Sequence, residues 1–219
     1  GFLNILLPTS FIGTKEWTSI EVNSKNGFLL NGTSIDKTLN NTFTRKLLNS
    51  NTQKSVANKI IPSNFVGFTS YNFDQLEQIE PDYENFDELI DNSTEVFTFN
   101  DGKHTSVAFK LLSNDVQDNL TPHSSYRNTA IYANEYYKID PKVVKPQPAY
   151  ACIIDDFLIL SEAVEGLQNC ISHYQNQTTL AHQLYYTTNA SDFLGESHIL
   201  TATKSGDLRD RLAHLFDDS

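Results

Sequence analysis

Two short apolar runs near the middle of the chain give the clearest structural signal in the sequence. Residues 149–154 and residues 157–160 are separated by Asp155 and Asp156. Two strand-like runs joined by two turn-forming residues predict a tight β-hairpin. Apolar residues then recur at helical spacing, which predicts a helix packed against this hairpin. The residues of that stripe are Val164, Leu167, Cys170, Ile171 and Tyr174.

A hairpin followed by a helix is also predicted near the start of the chain. Residues 17–22 alternate large and polar side chains, and Asn26-Gly27, a strong turn signal, leads into residues 28–30. Residues 31–34 offer N-cap side chains for a helix. The apolar stripe of that helix is Ile35, Leu39, Phe43, Leu47 and Leu48. We interpret the two hairpin–helix units as an internal repeat.

The pattern between and after these units predicts further hairpins and helices. The predicted strands are residues 65–71 after a turn at 60–64, residues 96–99 and 106–112 around a turn at 100–103, residues 129–139, and residues 197–203. Asn72 or Asp74 is a candidate cap for a short helix, and Pro81 suits the first turn of a second helix that carries Leu89 and Ile90. Residues 114–128 are predicted to form a surface loop. Pro141, Pro146 and Pro148 predict a connector, and Leu208, Leu212, Leu215 and Phe216 predict a last helix.

These elements predict an α+β fold, in which antiparallel β-hairpins form a sheet and helices pack on a sheet face. The 219 residues fit a single domain, or two fused similar subdomains at about 1–112 and 113–219. The chain has no Met, even at position 1, and we expect it to be a fragment of a longer protein.

Composition and charge narrow the classes of function. Hydrophobic residues make up 39% of the chain and charged residues 20%, which is typical of a folded globular protein. The net charge is −11 and the 16 Lys and Arg are scattered, so binding to nucleic acid or to an anionic membrane surface is disfavoured. No apolar run approaches the roughly 20 residues that span a bilayer, so we expect no membrane insertion.

The segment from residue 73 to residue 101 holds ten acidic residues and no Lys or Arg. Two interpretations are open. The carboxylates could form a cation site of hard oxygen ligands, although the segment does not fit the EF-hand template. The candidate ligands are Asp82, Glu84, Asp87, Glu88 and Asp91. The other interpretation is the solvated face of an acidic helix.

Chemistry-bearing motifs are sparse. Cys152 and Cys170 are either two buried free thiols or a disulfide between the central hairpin and its helix. No histidine pair has metal-ligand spacing, and the sequence lacks nucleophile, Walker and dinucleotide-binding motifs. Asp155 and Asp156 are predicted to be turn formers, because adjacent turn side chains point apart. We therefore expect no catalytic residues, no cofactor and no enzymatic activity.

Several stretches resemble an uncharacterised family of large exported bacterial envelope proteins. Residues 17–22 leading to residues 29–32, and residues 61–64 leading to residues 67–71, carry the similarity. The later order of an Asp-turn hairpin, a helix and then residues 179–181 is similar as well. The resemblance implies a domain of unknown function that lies in the periplasm or at the cell surface, and it implies no catalytic residues.

The expected function is that of a non-enzymatic interaction or structural module. Its partner would be another domain of the parent chain or an envelope protein, because strands with exposed edges can dock a further segment. One alternative is a glycan-binding module, which requires exposed aromatic rings that stack on sugars. Its candidate rings are Trp17, Tyr132, Tyr136 and Tyr137. The other is a hydrolase with an unrecognised carboxylate pair, which requires two acidic side chains in one cleft.

Overall fold

A computed structural model describes most of the chain. It covers residues 18–23, 29–34, 47, 49–76, 84–113, 115–139, 147–188 and 195–204. These residues form mainly antiparallel β-sheet with a few helices, which confirms the predicted α+β class.

The strands are short and the helices are few. The strands are β1 (Thr18–Asn23), β2 (Leu29–Ser34), β3 (Gln53–Lys54), β4 (Gly67–Asn72), β5 (Ser93–Asn100), β6 (Thr105–Leu111), β7 (Thr121–Tyr126), β8 (Thr129–Ala133), β9 (Tyr150–Ile154), β10 (Phe157–Ser161), β11 (Glu196–Ser197) and β12 (Ile199–Thr203). The helices are α1 (Glu84–Asp91), α2 (Val164–Gln175) and α3 (Leu184–Thr188). Short 3₁₀ helices cover Ala57–Lys59, Asp115–Asn119 and Leu180–His182.

An eight-stranded antiparallel sheet organises the described residues. Its strand order is β12-β4-β5-β6-β10-β9-β8-β7. Two small sheets, β1-β2 and β3-β11, accompany it. The large sheet pairs β4 with β12 and β6 with β10, so residues before and after position 112 contribute to the same sheet.

The central hairpin and its helix form as predicted. β9 and β10 pair in register around the turn at Asp155 and Asp156, and Asp155 adopts φ 51°, a left-handed conformation that Asp tolerates. Asp155 accepts a hydrogen bond from the Tyr174 hydroxyl, whereas Asp156 pairs with Lys110. The two carboxylates therefore have different partners, as turn formers should.

Both faces of the central strands are buried, because an apolar core lies on each side of them. On β10, Leu158 and Leu160 belong to the core on the α1 side, whereas Phe157 and Ile159 belong to the core on the α2 side. Successive strand residues point to opposite faces, so a strand covered on both sides reads as a continuous apolar run. From the predicted helical stripe, Leu167, Cys170 and Ile171 are fully buried, and Val164 and Tyr174 are partly buried against the same core.

The first hairpin is confirmed, but its second strand is longer than predicted. β1 and β2 pair from Asn23↔Leu29 to Thr18↔Ser34, so residues 31–34 continue the strand instead of capping a helix. The predicted helix at 35–48 lies outside the described residues, except for the fully buried Leu47 near its end. The internal repeat therefore stays a prediction.

The loop predicted at residues 114–128 is wrong. A 3₁₀ helix covers Asp115–Asn119, and β7 follows at Thr121–Tyr126. β7 lacks an alternation of apolar residues because it lies at the end of the sheet, where residues 121–125 are exposed and only Tyr126 packs against the core. The next predicted strand forms, but it ends at Ala133 instead of Ile139.

Other predictions are confirmed or only partly covered. The β5–β6 hairpin, β4, β12 and a helix carrying the buried Leu89 and Ile90 are all present. Asn72 lies in β4, and residues 73–76 are not helical, so the short helix does not begin there. Pro81, Pro141, Pro146 and the predicted last helix lie outside the described residues.

Candidate functional site

The most exposed element of the large sheet is its end strand β7. Residues 121–125 are exposed and Tyr126 is half-buried. Among the described strands, β7 pairs only with β8. Its sequence, Thr-Pro-His-Ser-Ser-Tyr, contains no Asp, Glu, Lys or Arg. Charged side chains are a common means of protecting a sheet edge from further pairing, and β7 has none.

The turn between β7 and β8 determines which backbone groups point away from the sheet. Arg127 and Asn128 have φ values of 49° and 65°, which fits the two-residue turn that closes tight hairpins. Tyr126 and Thr129 flank this turn and form a hydrogen-bonded pair, so the next pair, Ser125↔Ala130, does not. The main-chain N–H and C=O of Ser125 therefore point to the open edge.

The opposite end of β7 is less regular. The register shifts between Pro122 and Ser124, which leaves His123 as the extra residue of a bulge. Pro122 has no N–H to donate. The part of β7 that can accept another strand is thus the stretch from Ser124 to Tyr126.

The tip of this hairpin is fixed to the C-terminal end of α2. The Tyr126 hydroxyl lies 3.2 Å from Ser172 Oγ, and Arg127 Nη1 donates to Asn176 Oδ1 at 3.1 Å. Gln175 Nε2 donates to the carbonyl oxygen of Arg127 at 2.9 Å. These contacts hold β7 in place, so a strand that docks on it meets a preformed edge.

A buried carboxylate, Glu95, forms a second polar site on β5. Its side chain is 2% exposed. Oε1 lies 2.5 Å from both Ser55 Oγ and Ser70 Oγ, and it accepts a longer bond of 3.3 Å from the Ala57 N–H. Oε2 accepts the N–H of Val56 at 2.8 Å. Burial raises the pKa of Glu95, and these hydrogen bonds offset part of the increase.

No described cation balances Glu95. Lys110 lies opposite Glu95 in the β5–β6 register, but its ammonium group pairs with Asp156. Asn72, fully buried beside Ser70, has its Oδ1 2.8 Å from Ser70 Oγ, while its Nδ2 has no hydrogen-bond partner. Sequence analysis did not single out Glu95. The predicted strand begins at residue 96, one residue after Glu95. In the observed strand, Glu95 shares a face with Phe97 and Phe99.

A third polar cluster lies beneath α2. Asp101 Oδ1 accepts the N–H groups of Lys103 at 2.9 Å and His104 at 2.8 Å, and Asp101 Oδ2 lies 3.6 Å from His104 Nδ1. Burial tends to raise the pKa of Asp101, but the hydrogen bonds outweigh it and lower that pKa. Ser161 Oγ and His104 Nδ1 are buried without hydrogen-bond partners. Ser161 is fully buried under Gly166, so this hydroxyl is closed to a substrate.

Only two of the five candidate metal ligands, Glu88 and Asp91, have described side chains. Glu88 is exposed and accepts a hydrogen bond from the Tyr136 hydroxyl at 3.0 Å, and Asp91 is exposed at the end of α1. Asp82 lies outside the described residues, as do the side chains of Glu84 and Asp87. Within the described part of the chain, no group of three His, Cys, Asp or Glu side chains is placed to hold a metal ion.

The three glycan-stacking candidates that the structure describes do not form an exposed platform. Tyr137 is fully buried and donates to the Val116 carbonyl oxygen at 3.1 Å, so its assignment as a stacking ring is wrong. Tyr132 is half-buried against the core. Tyr136 is 37% exposed and packs edge-on against Tyr137 with ring centroids 5.0 Å apart. Trp17 lies outside the described residues.

Both cysteines are buried free thiols in the structure. Cys152 lies on β9 and Cys170 on the face of α2 that packs over the sheet. Burial raises the pKa of Cys152 to about 12 and raises the pKa of Cys170 well above its usual value. A thiol with a raised pKa and no access to solvent is inert, because the thiolate is the reactive form.

We therefore expect neither cysteine to react with a soluble aromatic disulfide reagent while the protein is folded. In denaturant both thiols should react at once, giving two equivalents per chain. Absorbance of the thiolate released from the reagent measures the number of reactive cysteines in the folded and in the denatured protein. Reaction of either cysteine in the native protein, at a rate close to that of a free thiol, would contradict this burial, and no reaction in denaturant would indicate a disulfide.

Together, the described residues define an antiparallel α+β protein with an uncharged, exposed edge strand and a buried carboxylate. Within them, no helix is long and apolar enough to cross a membrane. Comparison with family models, curated proteins and solved structures finds no match. The resemblance to exported envelope proteins thus stays a prediction.

Proposed function

We propose that this chain is a non-enzymatic interaction module that binds an extended polypeptide segment along β7. The bound segment would add a strand to the end of the large sheet. The observation that carries the proposal is the outward direction of the Ser125 N–H and C=O on a strand without charged side chains. Main-chain hydrogen bonds of this kind supply affinity when a peptide extends a sheet.

The surroundings of β7 favour an extended segment over a flat protein surface. The side chains of residues 121–125 are exposed on both sides of the strand, so there is room for a neighbouring strand to place its own side chains above and below. The anchored turn at Arg127 and Asn128 keeps the edge ordered before binding, which lowers the entropic cost of association. The net charge of −11 favours a segment that carries Lys or Arg.

The setting of the module is part of the proposal. We place it in an exported bacterial protein, in the periplasm or at the cell surface, with the bound segment in another domain of the parent chain or in an envelope protein. The similar stretches at residues 17–32 and 61–71 support this setting. Fractionation of the source cells, with an antibody against residues 18–204 as the probe, tests it. Recovery in the cytosolic fraction alone would exclude an exported location.

Substituting Ser125 with proline tests the docking edge directly. Ser125→Pro removes the outward N–H but leaves the β7–β8 ladder intact, because Ser125 is not hydrogen-bonded to Ala130. Peptides selected from a random displayed library against the native chain are the probe, and fluorescence polarisation measures their Kd. We expect Ser125→Pro to weaken binding at least about tenfold, which corresponds to the loss of about 1.4 kcal/mol.

The matched control is Ser125→Ala, which removes the hydroxyl but keeps the main-chain N–H. It should bind the selected peptides as the native chain does. Three results would count against the proposal. The peptides could bind Ser125→Pro as tightly as the native chain, they could shift amide resonances away from β7, or the library could yield no binding peptide. Circular dichroism of both variants checks that the fold is retained.

A further inference from the structure

If Glu95 is ionised, the groups around it have too few hydrogens for their short oxygen–oxygen contacts. Ser70 Oγ lies 2.5 Å from Glu95 Oε1 and 2.8 Å from Asn72 Oδ1. An ionised carboxylate and an amide oxygen are both acceptors, whereas a serine hydroxyl has a single hydrogen to donate. One of the two short oxygen–oxygen contacts would therefore lack a proton.

We infer that Glu95 is a proton-binding site of the folded chain, with the proton on Oε1 donated to Ser70 Oγ. Ser70 then donates its own hydrogen to Asn72 Oδ1, and each short contact holds one proton. Oε2 remains a carbonyl-like acceptor for the N–H of Val56 at 2.8 Å. The proton comes from solvent as the chain folds, and no bond between heavier atoms changes.

The charges around Glu95 fit a neutral side chain. Lys110 on β6 lies opposite Glu95, but its ammonium group is paired with Asp156. From α3, the facing titratable group is Tyr186; burial is the main cause that raises its pKa to about 12, so the Tyr186 hydroxyl brings no positive charge to Glu95. The segment of Ser55 and Ala57 presents a hydroxyl and an N–H and no charge. A buried carboxylate without a cation is costly to ionise, so the neutral form is favoured.

The competing arrangement reverses the Asn72 amide. Its Nδ2 would then donate to Ser70 Oγ, and Ser70 would donate to an ionised Glu95. Nitrogen and oxygen of a side-chain amide are assigned from their hydrogen bonds, so the two arrangements share the same heavy-atom positions. They differ in charge at Glu95, and that difference is measurable.

The proton on Glu95 links folding to pH. Since the pKa of Glu95 is higher in the folded chain than in the unfolded chain, the folded state binds more protons between the two values. Its contribution to stability is therefore full below the unfolded pKa and is lost as the pH rises through the folded pKa. Glu95 thus fastens the segment of residues 55–57 to β4 and β5 most firmly on the acid side.

The direct test is the carboxyl carbon resonance of Glu95 in isotopically labelled protein, assigned through its own side chain and followed from acidic to mildly basic pH. We expect a titration midpoint above the ordinary glutamate value of about 4.3. A midpoint at or below that value would overturn the inference and would favour the ionised form with the reversed Asn72 amide.

Glu95→Gln supplies an independent test by chemical denaturation. Its amide can donate to Ser55 and Ser70 and accept from Val56, which imitates the protonated acid. The measured quantity is the denaturant midpoint of Glu95→Gln minus that of the native chain. We expect this difference to rise as the pH is raised from 4 toward 8, whatever its value at pH 4. A relative midpoint that stays level or falls across that range would contradict the inference. Glu165→Gln, at an exposed position on α2, is the matched control and should show no such trend.

Discussion

Replacing Phe97 with alanine is expected to lower the free energy of unfolding by about 3 to 5 kcal/mol, which is typical of a buried Phe-to-Ala change. Phe97 lies on β5, near the middle of the large sheet, and is fully buried. Its ring lies 6.0 Å from that of Phe99 and 6.1 Å from that of Phe157, in an edge-on arrangement with Phe157. The substitution removes these contacts and leaves a cavity in the core on the α2 side of the sheet.

Urea denaturation followed by circular dichroism measures this loss. Leu112→Ala is the control, because Leu112 is 65% exposed just beyond β6 and its removal should change stability by less than about 0.5 kcal/mol. A typical domain is stable by about 5 to 15 kcal/mol, so Phe97→Ala should unfold at a much lower urea concentration. A loss under about 1 kcal/mol would show that the core between β5 and β10 is not packed as described.

Gly166→Ala is expected to destabilise the chain by about 1 to 3 kcal/mol, although alanine is the better helix former. Gly166 lies in the first turn of α2, where the helix approaches β10 closely. A Cβ at this position would overlap Ser161 Oγ and would lie 3.2 Å from His104 Cβ. The helix must shift or Ser161 must rotate, and either change disturbs the α2 contact with the sheet.

A double-mutant cycle isolates that overlap. Ser161→Ala alone should be neutral or slightly stabilising, because the Ser161 hydroxyl is buried without a partner. In the double variant the added methyl group occupies the space that the hydroxyl leaves, so most of the Gly166→Ala loss should be recovered. Additive effects in thermal or urea unfolding would mean that Ser161 is not the obstacle.

Local sequence patterns were sufficient to predict the elements whose residues contact others close to them in the sequence. Asp155 and Asp156 mark a turn by their own chemistry, and the strands on either side pair directly with each other. The helical spacing that includes Leu167 and Ile171 identified the face of α2 that packs on the sheet. These predictions depend on residues within about one turn or one hairpin of each other.

The features that carry the proposals depend on longer-range context. β7 was missed because five of its six side chains are exposed and it therefore lacks an apolar alternation. Only its pairing with β8 identifies it as a strand. Glu95 stands out only in the folded chain, where Ser55 and Val56, about forty residues earlier in the sequence, donate hydrogen bonds to its carboxylate. Tyr137 was expected at the surface, but its hydroxyl bonds to Val116 inside the core. No local pattern shows which distant segment will cover a residue.

The pairing of β4 with β12 has a consequence for how the chain folds during synthesis. Thr69 and Thr201 meet across these strands although 132 positions separate them. At about 5 to 20 residues per second, the ribosome needs roughly 7 to 26 s to complete that interval. During this time β4 can pair with β5 but not with β12, so its other edge stays open to intermolecular pairing. The nascent chain should therefore be most prone to aggregation before β12 emerges.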